Sequence, residues 1–317
     1  NGGNPGNYNN GIVIAPVLPT IEDAEEDCAK DSTKAVEKLS GLNLSDEVKE
    51  CLIGSQNCAE LGQLVLFTEM NTSASDIAFG KLAAQAICDN FEVDFEDKII
   101  NELTGKAKCV YDKLKSSSTG FKNMIKEFDG DFPVSHLMLT INNNLGSTTY
   151  GETQPPVNYV TEIQINENKF SNLSDLGKAI VFAHEIIHAE IYRKMLSAAR
   201  RGDLNTNTMN AQQAENYVNS LRDNFPGIYD YYVERGHPTW NHNMMASHYI
   251  TNIANIIEEF DDYRLPRSTY ESVSWVGLGE LENNQSTIAW DNLSTNEKQV
   301  IENLINQNFF NGPSNCN

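Results

Sequence analysis

Residues Tyr159–Ala189 read YVTEIQINENKFSNLSDLGKAIVFAHEIIHA, and two hydrophobic periods meet in this stretch. Over Tyr159–Ile165 the apolar positions Val160, Ile163 and Ile165 predict a strand. Ser171 or Ser174 then offers a helix cap, and the helical pattern runs to about Ala199 before Gly202 ends it. Upstream, His136–Ile141 (HLMLTI) predicts a second strand. The intervening Asn142–Asn158, with Gly146, Gly151 and Pro155-Pro156, reads as a long loop. Further helices are predicted over Met209–Asn224, from Pro238 to about Tyr263, and over Thr295–Gln307.

The first third of the chain has a different character. Ile21–Phe128 contains no proline, and apolar residues recur at steps of three and four, as in Ala35, Leu39 and Leu42 or Leu61, Leu64 and Phe67. Four or five helices are expected there, with loops at Asn71–Ser75 and Ser116–Gly120. Helices, then short strands, then long helices predict a mostly helical α+β protein. Its expected parts are a flexible leader over 1–20, a helical N-terminal domain over 21–128, and a second domain over 129–317 with a small sheet and long helices.

Composition narrows the function classes. The 317 residues include 23 Lys+Arg against 44 Asp+Glu, a net charge of −21, which excludes nucleic acid or an anionic membrane surface as the main partner. No apolar run approaches the roughly 18 residues of a membrane span; tracts such as Leu64–Phe67 are far shorter. None of the cysteines (Cys28, Cys51, Cys58, Cys88, Cys109 and Cys316) forms a CxxC pair, so a zinc ribbon or redox dithiol is disfavoured. Two or three disulfides in an oxidising compartment are expected, with buried free thiols in the cytosol as the alternative. The Asn-, Gly- and Pro-rich start, NGGNPGNYNNGIVIAPVLPT, lacks a signal-peptide pattern. It reads as the leader of a mature exported protein and allows a lipoprotein tether; a chain beginning inside a cytosolic protein is the plainer alternative.

The chemistry lies in Phe182–Ala189. His184-Glu185-Ile186-Ile187-His188 is an HExxH motif, which sets two imidazoles one helical turn apart on one face, where both reach a single metal ion. Glu185 points to a neighbouring direction, placed to take a proton from water without being a ligand. The flanking Ile180, Val181, Ile187 and Ile191 bury the helix, where polar side chains need a role. The plain alternative is a pair of core histidines beside a salt-bridged glutamate. A third ligand must come from elsewhere, because position 194, where the compact motif has a histidine, is Lys. His242 begins an apolar stripe through Ala246, Tyr249, Ile253, Ile256, Ile257 and Phe260, and is the favoured candidate. His248 shares a wetter face with Asn252 and Asn255, and His237 precedes Pro238 in a loop; a carboxylate such as Glu190, Glu215 or Glu258 is the remaining option. The strand ending near Ile165 is the expected edge for pairing a substrate backbone.

His184–Lys194, HEIIHAEIYRK, resembles the metal helix of zincin metallopeptidases, and its HE-apolar-apolar-HA form is similar to the SprT-like zincins. HNMMASHYI at His242–Ile250, EEFDDY at Glu258–Tyr263 and SWVGL at Ser274–Leu278 resemble secreted or lipoprotein zincins of the Bacteroidetes. The likeness spans Asp129 to Ser294. It implies a zinc-dependent endopeptidase domain over 129–317, with Zn²⁺ on His184, His188 and His242, the last within an H-x-x-M-A-x-x-Y pattern that ends at Tyr249. It further implies Glu185 as general base and proton donor to the leaving amine, and a Tyr or His facing the oxyanion, for which Tyr249 and Tyr270 are candidates. Carboxylates orienting the histidines are sought among Glu258, Glu259, Asp261 and Asp262, a run that otherwise reads as a solvated helix end. Trp275, Gly277 and Leu278 read as packing. The 54 residues from His188 to His242 exceed the SprT-like spacing, which with the acidic charge sets a DNA-linked substrate aside. Expected partners are a protein or peptide substrate, with no nucleic acid and no membrane insertion, in a bacterial periplasm, at the cell surface or secreted. A catalytically silent zincin-fold binding protein and an exported toxin-like effector are the alternatives.

Overall fold

The computed structural model describes residues 31–54, 58–126, 136–201, 210, 213, 240–281 and 285–316. The leader, most of the helix expected over Met209–Asn224, His237 and Glu215 lie outside the described residues. The described chain is a mostly helical α+β fold.

Its centre is a five-stranded sheet in the order β1-β2-β3-β5-β4, formed by Glu92–Asp94 (β1), Ile99–Asn101 (β2), His136–Ile141 (β3), Gly151–Thr153 (β4) and Val160–Ile165 (β5). Strands β2, β3 and β5 run parallel, in the register Ile99↔Leu137 and Leu139↔Ile163, while β1 and β4 are antiparallel edges. β3 and β5 match the expected strands. β1 and β2 fall within the stretch read as helical; at three residues each they are too short to show a two-residue period. β4 falls within the expected loop. Because β5 is paired on both sides, it has no free edge, and the edge nearest the HExxH helix belongs to β4.

The pleat divides the sheet between two cores. Ile99, Leu137, Leu139, Ile163 and Ile165 face the larger one, whereas Ile100 and Met138 face the smaller. The smaller core is built by α1 (Ser32–Lys38), α2 (Asp46–Gly54), α3 (Cys58–Met70) and α4 (Ala74–Cys88), around Leu52, Leu61, Leu64 and Phe79, all fully buried. A capping box between Ser73 and Asp76 starts α4, and Asp76 also pairs with Lys98 at 3.2 Å, tying the helices to the strand β2. α5 (Gly105–Ser117) and α6 (Thr119–Lys126) pack into the larger core. A one-turn helix, α7 (Glu167–Phe170), leads into α8 (Asp175–Arg201), which lies against β4 and β5.

The long helix expected after Pro238 is observed as α9 (Trp240–His248) and α10 (Ile250–Phe260). The interruption is confined to Tyr249: bonds from its N–H to Met245 O at 2.8 Å and from Ile253 N–H to Tyr249 O at 2.9 Å cross it. α11 (Arg267–Val273), the hairpin β6–β7 (Glu280–Leu281 and Gln285–Ser286), α12 (Ile288–Asp291) and α13 (Thr295–Ile305) complete the chain, and a π-turn at Asn306–Phe310 extends α13.

Disulfides Cys51–Cys88 and Cys109–Cys316 staple α2 to α4 and α5 to the C-terminal tail, and no described cysteine is a free thiol. Such bonds persist in oxidising compartments. Among the described residues no helix is long and apolar enough to cross a membrane.

Candidate metal centre

Helix α8 starts at Ser174, one of the two expected caps: its hydroxyl accepts the Gly177 N–H at 2.8 Å. The first turn is clamped from outside. Asp175 accepts the N–H groups of Asn315 (2.5 Å) and Cys316 (3.1 Å), and the fully buried Lys178 bridges Asp175 (3.1 Å) to Ser314 (2.9 Å). The following turns carry Ile180, Ala183, Ile186 and Ile187 into the larger core, each at most 1% exposed. That burial fixes the rotation of the helix and sends His184 and His188 to one side of it.

His184 Nε2 and His188 Nε2 stand 2.9 Å apart. α9 brings the half-buried His242 to the same place, its ring centroid 5.8 Å from that of His184 and 5.0 Å from that of His188. One ligand atom from each of the three lies within 4.8 Å of the others, so the cluster can hold a metal ion. Burial, and next the proximity of His242, push the His184 pKa down to about 3; burial pushes His242 down to about 4. Both rings are therefore neutral near pH 7 and keep a lone pair for a metal. Three imidazoles with no carboxylate among them match the donor set zinc takes in open sites, where nitrogens at about 2.0–2.1 Å from the ion stand about 3.4 Å from one another.

Glu185 is 7% exposed. Its Oε2 accepts the hydroxyl of Thr153, on the edge strand β4, at 2.7 Å. Burial raises its pKa to about 7; nearby Glu152 adds to the shift and the Thr153 bond opposes it. β4 comes this close because of Gly151, where a Cβ would lie 2.9 Å from Val181 Cγ1 and 3.0 Å from Glu185 Cγ. Neither Thr153 nor Gly151 was legible as a site residue, since both sit in a short segment flanked by Pro155-Pro156 that carries no strand period.

The other candidate ligands lie outside this cluster among the described residues. His248 is exposed and outside the cluster. Glu190, 1% exposed, pairs with Arg193 at 2.7 Å and Lys194 at 3.0 Å. Tyr249 sits at the helix interruption, half-buried, with Lys194 Nζ 6.0 Å from its ring centre; no hydrogen bond or ring contact joins it to the histidines. The fully buried Tyr270 donates its hydroxyl proton to Asp261 Oδ2 and accepts the Leu265 N–H, both at 2.8 Å, so it serves as a structural tie. Glu258 pairs with Arg267 at 2.5 Å, and Glu259 accepts Ser118 Oγ at 2.7 Å and Gly120 N–H at 3.0 Å. These carboxylates fasten helices and do not orient the histidines. Trp275, whose ring lies 5.4 Å from that of Trp290, and the fully buried Leu278 do pack as expected. Gly277 instead lies directly against the His184 ring. No family model, curated protein or solved structure matches this chain.

Proposed function

We propose that this chain is a zinc metallopeptidase that works in an oxidising, extracytoplasmic compartment. The observation that carries the reading is the convergence of a third imidazole, 54 residues along the chain, on the two of HExxH, beside a buried carboxylate with one free oxygen. His184, His188 and His242 would hold the ion. Zinc, when bound, supplies Lewis acidity that makes water and a peptide carbonyl reactive at neutral pH.

The chain's own residues do the rest. Thr153 occupies Glu185 Oε2, which leaves Oε1 to receive a proton from the attacking water. A base whose pKa lies near 7 takes that proton and then delivers it to the departing amine without a large energetic gap at either step. β4, the outermost strand of the sheet among the described residues, runs beside this carboxylate, so an extended peptide aligned along it would bring its backbone past the site. The buried base beside the ligands favours catalysis over a silent binding role, which has no use for it. The disulfides support the compartment.

Glu185→Gln is the test. Zinc content should remain as in wild type, while hydrolysis of a quenched-fluorescence peptide library falls by roughly 10²–10⁴-fold. Undiminished hydrolysis would refute Glu185 as the base. Peptide binding without hydrolysis in wild type would support the silent-binding alternative.

A further inference from the structure

The turn after α11 is held rigidly. Val273 and Ser274 are fully buried, and Ser274 Oγ donates to Tyr270 O at 2.7 Å. Val276 N–H bonds Val273 O at 3.2 Å, Leu278 N–H bonds Trp275 O at 2.9 Å, and Thr287 Oγ1 bonds Leu278 O at 2.6 Å. Within this turn the backbone passes through Gly277 at φ +72°, a left-handed conformation that glycine adopts without a Cβ penalty. The side a Cβ would occupy is filled by the imidazole of His184: it would lie 2.9 Å from Cε1, 3.4 Å from Nδ1 and 3.5 Å from Nε2.

The preceding carbonyl, that of Val276, lies beside the same ring and favours a proton on it, against the burial that lowers its pKa. His184 Nε2 already faces His188 Nε2 at 2.9 Å, which leaves Nδ1 as the nitrogen to meet that carbonyl. A ring that donates through Nδ1 carries its lone pair on Nε2, directed at the point the three histidines share.

Resting on the three-histidine metal site proposed above, we propose that the Val276–Gly277 peptide is the positioning element of His184. The carbonyl fixes the Nδ1–H tautomer, and the glycine leaves room for the ring to reach it. α11 and the turn after it thereby become part of the metal site, although they contribute no ligand.

Two measurements on the full chain test this. In the metal-free, ¹⁵N-labelled wild type, long-range ¹H–¹⁵N correlation should find the His184 proton on Nδ1; a proton on Nε2 would overturn the proposal. In zinc titrations against a chromophoric chelator, Gly277→Ala should bind about 10- to 100-fold more weakly than wild type. Gly279→Ala is the control, because its Cβ would meet the Trp290 ring at 3.0 Å and no histidine. It should stay within about threefold of wild type, since it leaves the ligand's hydrogen-bond partner in place. Equal zinc affinity in Gly277→Ala and wild type would refute the positioning role while leaving the metal site intact. Wild type that binds no zinc would refute the metal site and the positioning role with it. If Gly277→Ala does not fold, the wild-type tautomer still decides.

Discussion

Thr153 has one hydroxyl proton and two acceptors within reach, Glu185 Oε2 at 2.7 Å and Glu185 O at 2.9 Å, so at any instant it serves one of them. When it serves the carboxylate it stabilises the charged form and works against the burial that raises the Glu185 pKa. Thr153→Val keeps the shape and removes the donor. The pKa of Glu185 should then rise by about one unit, since a hydrogen bond of about 1.4 kcal/mol corresponds to one unit. Proton abstraction needs the ionised form, so the acid limb of the kcat/KM profile should move to higher pH by a similar amount, and Thr153→Ser should restore it. An acid limb unmoved in Thr153→Val would show that Thr153 does not govern the base. This residue illustrates what the sequence could not show. HExxH announces His184, Glu185 and His188 through helical spacing alone, whereas the partner of Glu185 is set by strand pairing between β4 and β5.

At the scale of elements, the HExxH helix α8 is held at its first turn by Ser314, Asn315 and Cys316. Burial alone would raise the pKa of Asp175, but the N–H of Asn315, the ammonium of Lys178 and the N–H of Cys316 outweigh it and leave the group below its ordinary value of 3.8. A depressed carboxyl contributes stability above its unfolded pKa, and that contribution is lost as pH falls through the folded value. Asp175→Asn should therefore destabilise the protein by about 3 kcal/mol near pH 7, because it leaves the buried Lys178 uncompensated. In denaturant melts, the gap between variant and wild type should shrink as pH falls below about 4, where wild type also loses the charge. A gap independent of pH would mean that the carboxylate charge is not what holds the tail. The sequence showed α8 and offered Ser171 or Ser174 as its cap, because both are local signals; the fold uses Ser174. It did not show that residues near Cys316 complete that cap region, because a contact across some 140 positions leaves no periodic trace.

For the whole molecule, the sheet joins a smaller helical core to a larger one that contains the site. The mostly helical α+β class, strands β3 and β5, and the approximate limits of α8 and α13 were legible because each rests on hydrophobic period or capping. The edge strand and the two short strands β1 and β2 were not, for want of length. Gly277 read as packing, because nothing local reveals that its missing side chain makes room for a histidine more than 90 positions earlier. His242 was selected by its place at the start of an apolar stripe, and the fold brings it within reach of the other two histidines. Everything functional depends on that convergence. The most direct measurement is zinc content by elemental mass spectrometry on purified wild type and His242→Ala. Wild type should hold about one zinc per chain and the variant should lose it sharply, as expected when an open three-ligand site loses a ligand. A variant that retains zinc as wild type does, or a wild type that takes up none when zinc is supplied, would contradict the three-histidine site.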